Sequence, residues 1–294
     1  MPLISFPFAE SISVKSENPS YSDSPYRRSN SVVNPDEIVR QLGSREADLR
    51  LVCFEKVDST NDVARRFVEE GVCEGLAVVS DCQTAGRGRF DRRWESPRGG
   101  LYASIVVKPL LSPATVPLMG FMLGCSAVSA IKSLSSIDVR LKWPNDIMVS
   151  ERKVGGILSE AITEGNQVVA IILGIGINVN LQLDDYPEGL RKSVTTVSHE
   201  AGVETPIEDL AASLLKEVYA RMRKVETRQT FQPVISEYKS VCNTLGKRVR
   251  VEQTDRTFEG KALDVDDFGA LIVKTESGEE IVSAGDVLHL DLKT

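Results

Sequence analysis

The chain has 294 residues, 41% hydrophobic and 26% charged, with a formal net charge of −7. That balance describes a globular protein with a core and excludes a disordered chain, while the acidic surplus excludes general affinity for nucleic acid or an anionic membrane. Five cysteines at wide spacing without a C-x-x-C, and two histidines, give no disulfide framework and no zinc site, and point to reduced thiols in an intracellular compartment.

Residues 1–33 are rich in serine and proline, lack periodicity, and are expected to form a poorly ordered tail. Glu10, Glu17 and Asp23 argue against an intact transit peptide. A cytoplasmic protein is therefore expected, with an organellar one (plastid or mitochondrion) that has lost its targeting segment as the alternative. A helix opens at NPDEIVRQL, with Asn34 as N-cap and Pro35 at the first helical position. LRLVCF reads as a strand. Ser59 or Thr60 then caps a helix carrying Val63, Ala64, Phe67 and Val68 on one side and ending at Gly71. GLAVVSDC and GLYASIVVKP read as strands flanking an arginine-rich segment.

The uncharged run from Pro109 to Ile131 is broken by Pro113 and Pro117, so it reads as a loop and a buried helix rather than a membrane span. Three or four more strands lie in DVRLKWPND, IMVSERKVGGILSEAI, with a turn at Ser150–Arg152, and QVVAIILGIGINV, whose apolar run places it centrally. Thr205 and Glu208 are spaced for a capping box around Pro206, before a helix in which Leu210, Leu214, Val218 and Met222 recur. A shorter helix covers about residues 231–242, and from Leu245 onward short alternating strands read as a small β-barrel.

Four arginines (Arg87, Arg89, Arg92 and Arg93) crowd the segment DCQTAGRGRFDRRWESPRGG, residues 81–100. Gly86 and Gly88 would let backbone approach a polyanion closely, and Arg87 and Arg89 offer paired donors to phosphate oxygens. Taken alone this is a weak signal, and composition favours a solvated basic loop. The segment is not a Walker loop, since G-x-x-x-x-G-K-[ST] is absent.

Five motifs together settle the matter: Ser59-Thr60-Asn61, Gln83 through Pro97, Lys142 through Asp146, Arg152 through Leu158, and Gly174 through Asn178. In this order they resemble the biotin–protein ligases, or holocarboxylase synthetases, over roughly residues 50–292. The resemblance implies an α+β fold. Its catalytic domain, residues 34–243, is like that of a class II aminoacyl-tRNA synthetase, built on a mixed, largely antiparallel sheet. An SH3-like β-barrel, residues 244–294, follows. It also implies ATP-dependent biotinylation of a lysine on carboxyl carrier domains of carboxylases through biotinyl-5′-AMP, with ATP and biotin as substrates and Mg²⁺ as cofactor.

By the same resemblance Lys153, Arg87, Arg89 and Asp146 are catalytic, Lys153 bridging the biotin carboxylate and the α-phosphate. Ser59, Thr60, Asn61 and Gln83 hydrogen-bond the ureido ring, and Gly88 belongs to the loop that closes over the ligand. Gly155, Gly156, Gly174 and Gly176 leave room for the thiophane ring and tail, while Arg89, Trp94, Lys153 and Asn178 serve the nucleotide. Trp143 packs beneath the biotin or the sheet, and no metal ligands are assigned. Phe90-Asp91 depart from the commoner loop, where small or basic residues stand. A lipoate–protein ligase, or related acyl transfer to a carrier lysine, is the alternative, but its R-R-x-S-G-G-G segment is absent. The region before residue 50 is too short for a DNA-binding winged helix. The oligomeric state is left open.

Overall fold

The computed structural model describes residues 33–43, 49–72, 74–108, 112–165 and 167–290; the expected tail lies outside these save for Val33. Helix α1 (Pro35–Leu42) begins as its sequence dictates, the Asn34 side chain accepting the Asp36 N–H at 3.0 Å. There follow β1 (Arg50–Phe54), α2 (Thr60–Glu69), β2 (Leu76–Ser80), β3 (Leu101–Val107), α3 (Val116–Leu134), β4 (Val139–Lys142) and β5 (Asp146–Val149). Then come β6 (Arg152–Glu164), β7 (Gln167–Ile177), α4 (Glu188–Arg191), α5 (Val197–Ala201), α6 (Ile207–Arg228) and α7 (Gln232–Val241). Strands β8 (Arg248–Glu252), β9 (Thr257–Val265), β10 (Leu271–Lys274), β11 (Glu279–Val282) and β12 (Asp286–His289) end the chain.

Seven strands form one sheet in the order β1-β2-β3-β7-β6-β5-β4. Only β1 and β2 run parallel within it, so the sheet is mixed and antiparallel-rich. Side chains alternate between its faces. Ala77, Val79, Ile105, Ile171 and Leu173 turn to one face, and Leu76, Val78, Val106, Ala170 and Ile172 to the other. Helices α3, α6 and α7 cover the first face and α2 covers the second with Val63, Ala64 and Val68. Helix α3 is long and apolar enough to cross a membrane, yet Leu118, Met119, Met122, Leu123 and Ile131 are buried and Phe121 stacks on Tyr238 of α7 at 3.6 Å.

The capping box expected at Thr205 and Glu208 does not form. No side chain caps α6; the Thr205 N–H donates to Asn180 Oδ1 at 3.0 Å, and Glu208 Oε1 accepts the Asn34 N–H at 3.1 Å. Partners distant in sequence have outcompeted the local ones, and the second bond ties the start of α1 to α6.

The remaining strands make a five-stranded antiparallel, SH3-like sheet in the order β11-β10-β9-β8-β12. Trp143, 2% exposed, stitches the sheets together: its N–H donates to Thr244 Oγ1 and its Nε1–H to the Gly269 carbonyl, both at 3.0 Å. Beside it, His289 Nε2 lies 3.1 Å from Thr244 Oγ1, and Lys247 Nζ donates to Nδ1 at 3.2 Å. Burial first, then the positive charges of Lys247 and Lys142, pull the His289 pKa from 6.5 to about 4. The unfolded chain therefore takes up a proton near pH 6.5 that the folded chain refuses until about pH 4, and stability falls as pH drops through that window. We expect the melting temperature to decrease between about pH 7 and about pH 5, and the decrease to shrink in His289→Gln, which cannot be protonated. Equal slopes in the two proteins would remove His289 as the cause.

Candidate active site

The site lies on the α2 side of the large sheet, where the strand register changes composition. Val106 pairs with Ile172, and Ile172 with Glu160, in a row partly beneath α2. The next row reads Ser104, Gly174, Leu158, and the row beyond it Tyr102, Gly176, Gly156, Asp146. Replacing branched side chains with glycine and serine sinks the sheet surface, and a cleft of about 540 Å³ opens above it.

Protein atoms lie close above these glycines. A Cβ on Gly174 would stand 2.1 Å from Asn61 Oδ1, and one on Gly176 2.3 Å from Trp94 Nε1. A Cβ on Gly156 would press Lys153 Cε and Trp94 Cζ3 at 3.3 Å. Gly155 does not border the cleft. It faces the other side of the sheet, where a Cβ would meet Ile147 Cδ1 at 3.0 Å, so the contact with biotin expected there gives way to core packing. Ser59, Thr60, Asn61, Gln83, Arg87, Gly88, Arg89, Trp94, Asp146, Lys153, Gly156, Gly174 and Asn178 all border it.

Helix α2 presents its first residues to the cleft. Ser59 is the N-cap, but its hydroxyl makes no capping bond. The Thr60 N–H and Oγ1–H both donate to Gln83 Oε1, at 2.8 and 3.2 Å, and Gln83 Nε2 donates to Ser96 Oγ at 2.8 Å. Behind them the buried Ser104 hydroxyl lies 2.7 Å from Thr60 Oγ1 and 2.6 Å from Asn61 Oδ1. Asn61 Nδ2 donates to Glu160 Oε2 at 2.6 Å and to the Leu158 carbonyl at 3.3 Å. Ser59, Thr60 and Asn61 are all under 5% exposed, so this neutral polar net is nearly dry.

The arginine-rich segment folds into a hairpin. The Trp94 N–H bonds the Gly86 carbonyl at 2.9 Å, and the Gly88 N–H bonds the Arg92 carbonyl at 2.7 Å. Phe90 and Asp91 form its tip with φ of +55° and +57°, uncommon for residues with a side chain. The exposed Phe90 ring carries the Arg89 and Arg92 guanidinium groups at 4.7 and 5.9 Å. The four arginines do not converge. Arg87 forks onto Glu160 at 2.9 and 3.1 Å and reaches Asp62 at 2.7 Å. Arg89 donates to the Gly285 carbonyl at 3.3 Å, Arg92 pairs with Asp286, and Arg93 pairs with Glu95 at 3.2 Å. Burial raises the Asp62 pKa and the Arg87 charge opposes the shift.

Lys153 stands at the centre. Its Nζ lies 2.5 Å from Asp146 Oδ1 and 5.2 Å from the Trp94 ring centroid. Its backbone is clamped between the Ser193 carbonyl at 2.8 Å and the Thr195 N–H at 2.9 Å. Lys142 pairs in register with Asp146, and burial lowers its pKa while Asp146 opposes the shift. Asn178 is 1% exposed and spends its Nδ2–H on the Thr195 carbonyl at 3.1 Å. Among the described residues, Asn178 Oδ1 and Trp94 Nε1 are buried polar atoms with no partner. Also among the described residues, no group of three or more His, Cys, Asp or Glu is placed to hold a metal.

Glu160, Ser104, Ser96 and Lys142 were not expected at the site. Ser104 and Glu160 sit in strands read as structural, and only alternation counted outward from Gly174 would have put them on this face.

Residues 53–178 match the Biotin/lipoate A/B protein ligase family, and residues 244–290 match the Biotin protein ligase C terminal domain. The bifunctional ligase/repressor BirA of Bacillus spizizenii is 33% identical over 81% of this chain and 73% of its own. The biotin–[acetyl-CoA-carboxylase] ligase of Mycobacterium tuberculosis is 30% identical over 86% of this chain and 88% of its own. The biotin protein ligase of Aquifex aeolicus in complex with biotin and ATP superposes with a TM-score of 0.71 at 30% identity, covering 81% of this chain and 97% of its own. With motifs, fold and both matched regions in agreement, the chain belongs to the biotin protein ligase family.

Proposed function

We propose that the protein joins biotin to a lysine of a biotin carboxyl carrier domain, at the expense of ATP and through biotinyl-5′-AMP. In the first step a biotin carboxylate oxygen bonds to the α-phosphorus as the bond to the bridging oxygen of the leaving pyrophosphate breaks. In the second, the carrier lysine nitrogen bonds to the acyl carbon, the carbon–oxygen bond breaks, and AMP departs. The observation that carries this reading is Lys153, an ammonium held by Asp146 on the glycine floor of a cleft whose mouth bears Arg87 and Arg89. Two anions must meet in the first step, and prepositioned cations lower that barrier.

Lys153 bridges the carboxylate and the α-phosphate, and Arg87 and Arg89 turn to the same charges. Asp146 first orients Lys153 and then takes the proton from the attacking lysine. Ser59, Thr60, Asn61 and Gln83 suit the one acceptor and two donors of a cyclic urea. Lipoate offers no N–H groups to such a net. The unpartnered Asn178 Oδ1 accepts from the adenine amino group, and Trp94 packs against the nucleotide. Magnesium arrives as part of the ATP substrate. Asp146, one of several carboxylates bordering the cleft, would be available to such a cation, which would neutralise charge on the phosphates.

Pyrophosphate release with biotin and ATP should fall by about 10²–10³ in Lys153→Ala while the protein stays folded, and wild-type turnover in the variant would refute the role. Substituting lipoate for biotin should give no release; equal release would favour the lipoate ligase. Asn178→Ala should raise KM for ATP by roughly tenfold, the expected cost of one buried hydrogen bond, with KM for biotin unchanged.

A further inference from the structure

Among the described residues, Glu160 is the one carboxylate bonded to Asn61. All of its acceptor positions are filled. Oε1 receives Arg65 and Arg87, each at 3.1 Å, and Oε2 receives Arg87 at 2.9 Å and Asn61 Nδ2 at 2.6 Å. Its side chain is 18% exposed, so these bonds form in a partly dry setting. Carboxylate and carbonyl both demand a donor from Asn61 on that side, namely Glu160 Oε2 and the Leu158 oxygen. The other end of the amide therefore has to be oxygen. Oδ1 projects over Gly174 into the space a side chain there would fill, and accepts from Ser104 at 2.6 Å with a second lone pair to spare.

We infer that Glu160 is a positioning residue for specificity: by fixing the Asn61 amide with its oxygen toward the cleft, it makes the pocket require a ligand N–H. The inference rests on the biotin-binding reading above and assigns the urea selectivity to a residue that does not itself touch the ligand. Arg87 can leave Glu160 for a bound anion without releasing the amide, because the bond from Asn61 Nδ2 to Glu160 Oε2 involves neither arginine.

Glu160→Gln is isosteric and tests this directly. Its single oxygen is drawn to the Oε1 position, where two guanidinium groups point, which leaves an NH₂ facing Asn61 and forces that amide to turn over. Equilibrium binding in the absence of ATP is measured for biotin and for the two cyclic carbamates in which one ureido N–H is replaced by ring oxygen. The wild type should prefer biotin to one carbamate by roughly 5- to 150-fold, the cost of a buried unpaired acceptor. In Glu160→Gln that ratio should fall to within about threefold of unity, and Glu160→Ala, which frees the amide instead of inverting it, should give an intermediate ratio. Arg65→Leu breaks a different ion pair of Glu160 and should keep the wild-type ratio. Melting curves identify the folded variants, and a wild-type ratio in either folded Glu160 variant, or a collapsed ratio in Arg65→Leu, overturns the inference. A wild type that fails to bind biotin sinks the parent reading, whereas one that binds but does not discriminate sinks this one alone.

Discussion

The whole site turns on bringing like charges together in a place shielded from water. A carboxylate and a triphosphate repel, and in a partly desolvated cleft that repulsion is far larger than in bulk solvent. The fold answers with an ammonium at the floor and guanidinium groups at the rim, on a chain whose net charge is −7. Three of these cations are held by protein carboxylates in this structure, Lys153 by Asp146, Arg87 by Glu160 and Asp62, and Arg92 by Asp286, while Arg89 rests on the Gly285 carbonyl. Exchanging one anionic partner for another costs less than stripping a bare charge of water, so under the proposed function these pairs would hold the cations oriented for the ligand's own anions.

The polar end of the cleft follows a different logic. Where the end beneath the hairpin is charged, the inner end is neutral, built from the first turn of α2, the hydroxyl of Ser104 and the amide of Gln83. A helix N-terminus presents unpaired backbone donors, and here Gln83 takes the Thr60 N–H, leaving the Ser59 hydroxyl uncommitted. A single element thus opens a helix and lines a binding site.

Much of the fold was legible in the sequence because it is locally encoded. Asn34-Pro35 start α1, the apolar run of β7 marks a central strand, and α6 shows its period in Leu210, Leu214 and Val218. The candidate site residues were legible as a set, and the cleft gathers them all save Gly155, whose parity in β6 turns it to the other face. What escaped depends on pairing between distant segments. Ser104 and Glu160 enter the site through register across β3, β7 and β6, and Thr205 and Glu208 were lost to the partners Asn180 and Asn34. The paths of Arg89 and Arg92 depend on where Gly285 and Asp286 sit, which no local pattern of the hairpin records.

The rows Ser104, Gly174, Leu158 and Tyr102, Gly176, Gly156, Asp146 carry one more implication. Because neighbours along a strand point to opposite sides, inserting or deleting one residue inside β6 or β7 would exchange what each side displays. Ile175 and Ile157 would then stand where Gly176 and Gly156 stand now, choking the hollow while burying glycine in the interior. Length variation within this lineage should therefore be confined to the turns and the connecting segments, and these two strands should behave as a fixed-length cassette.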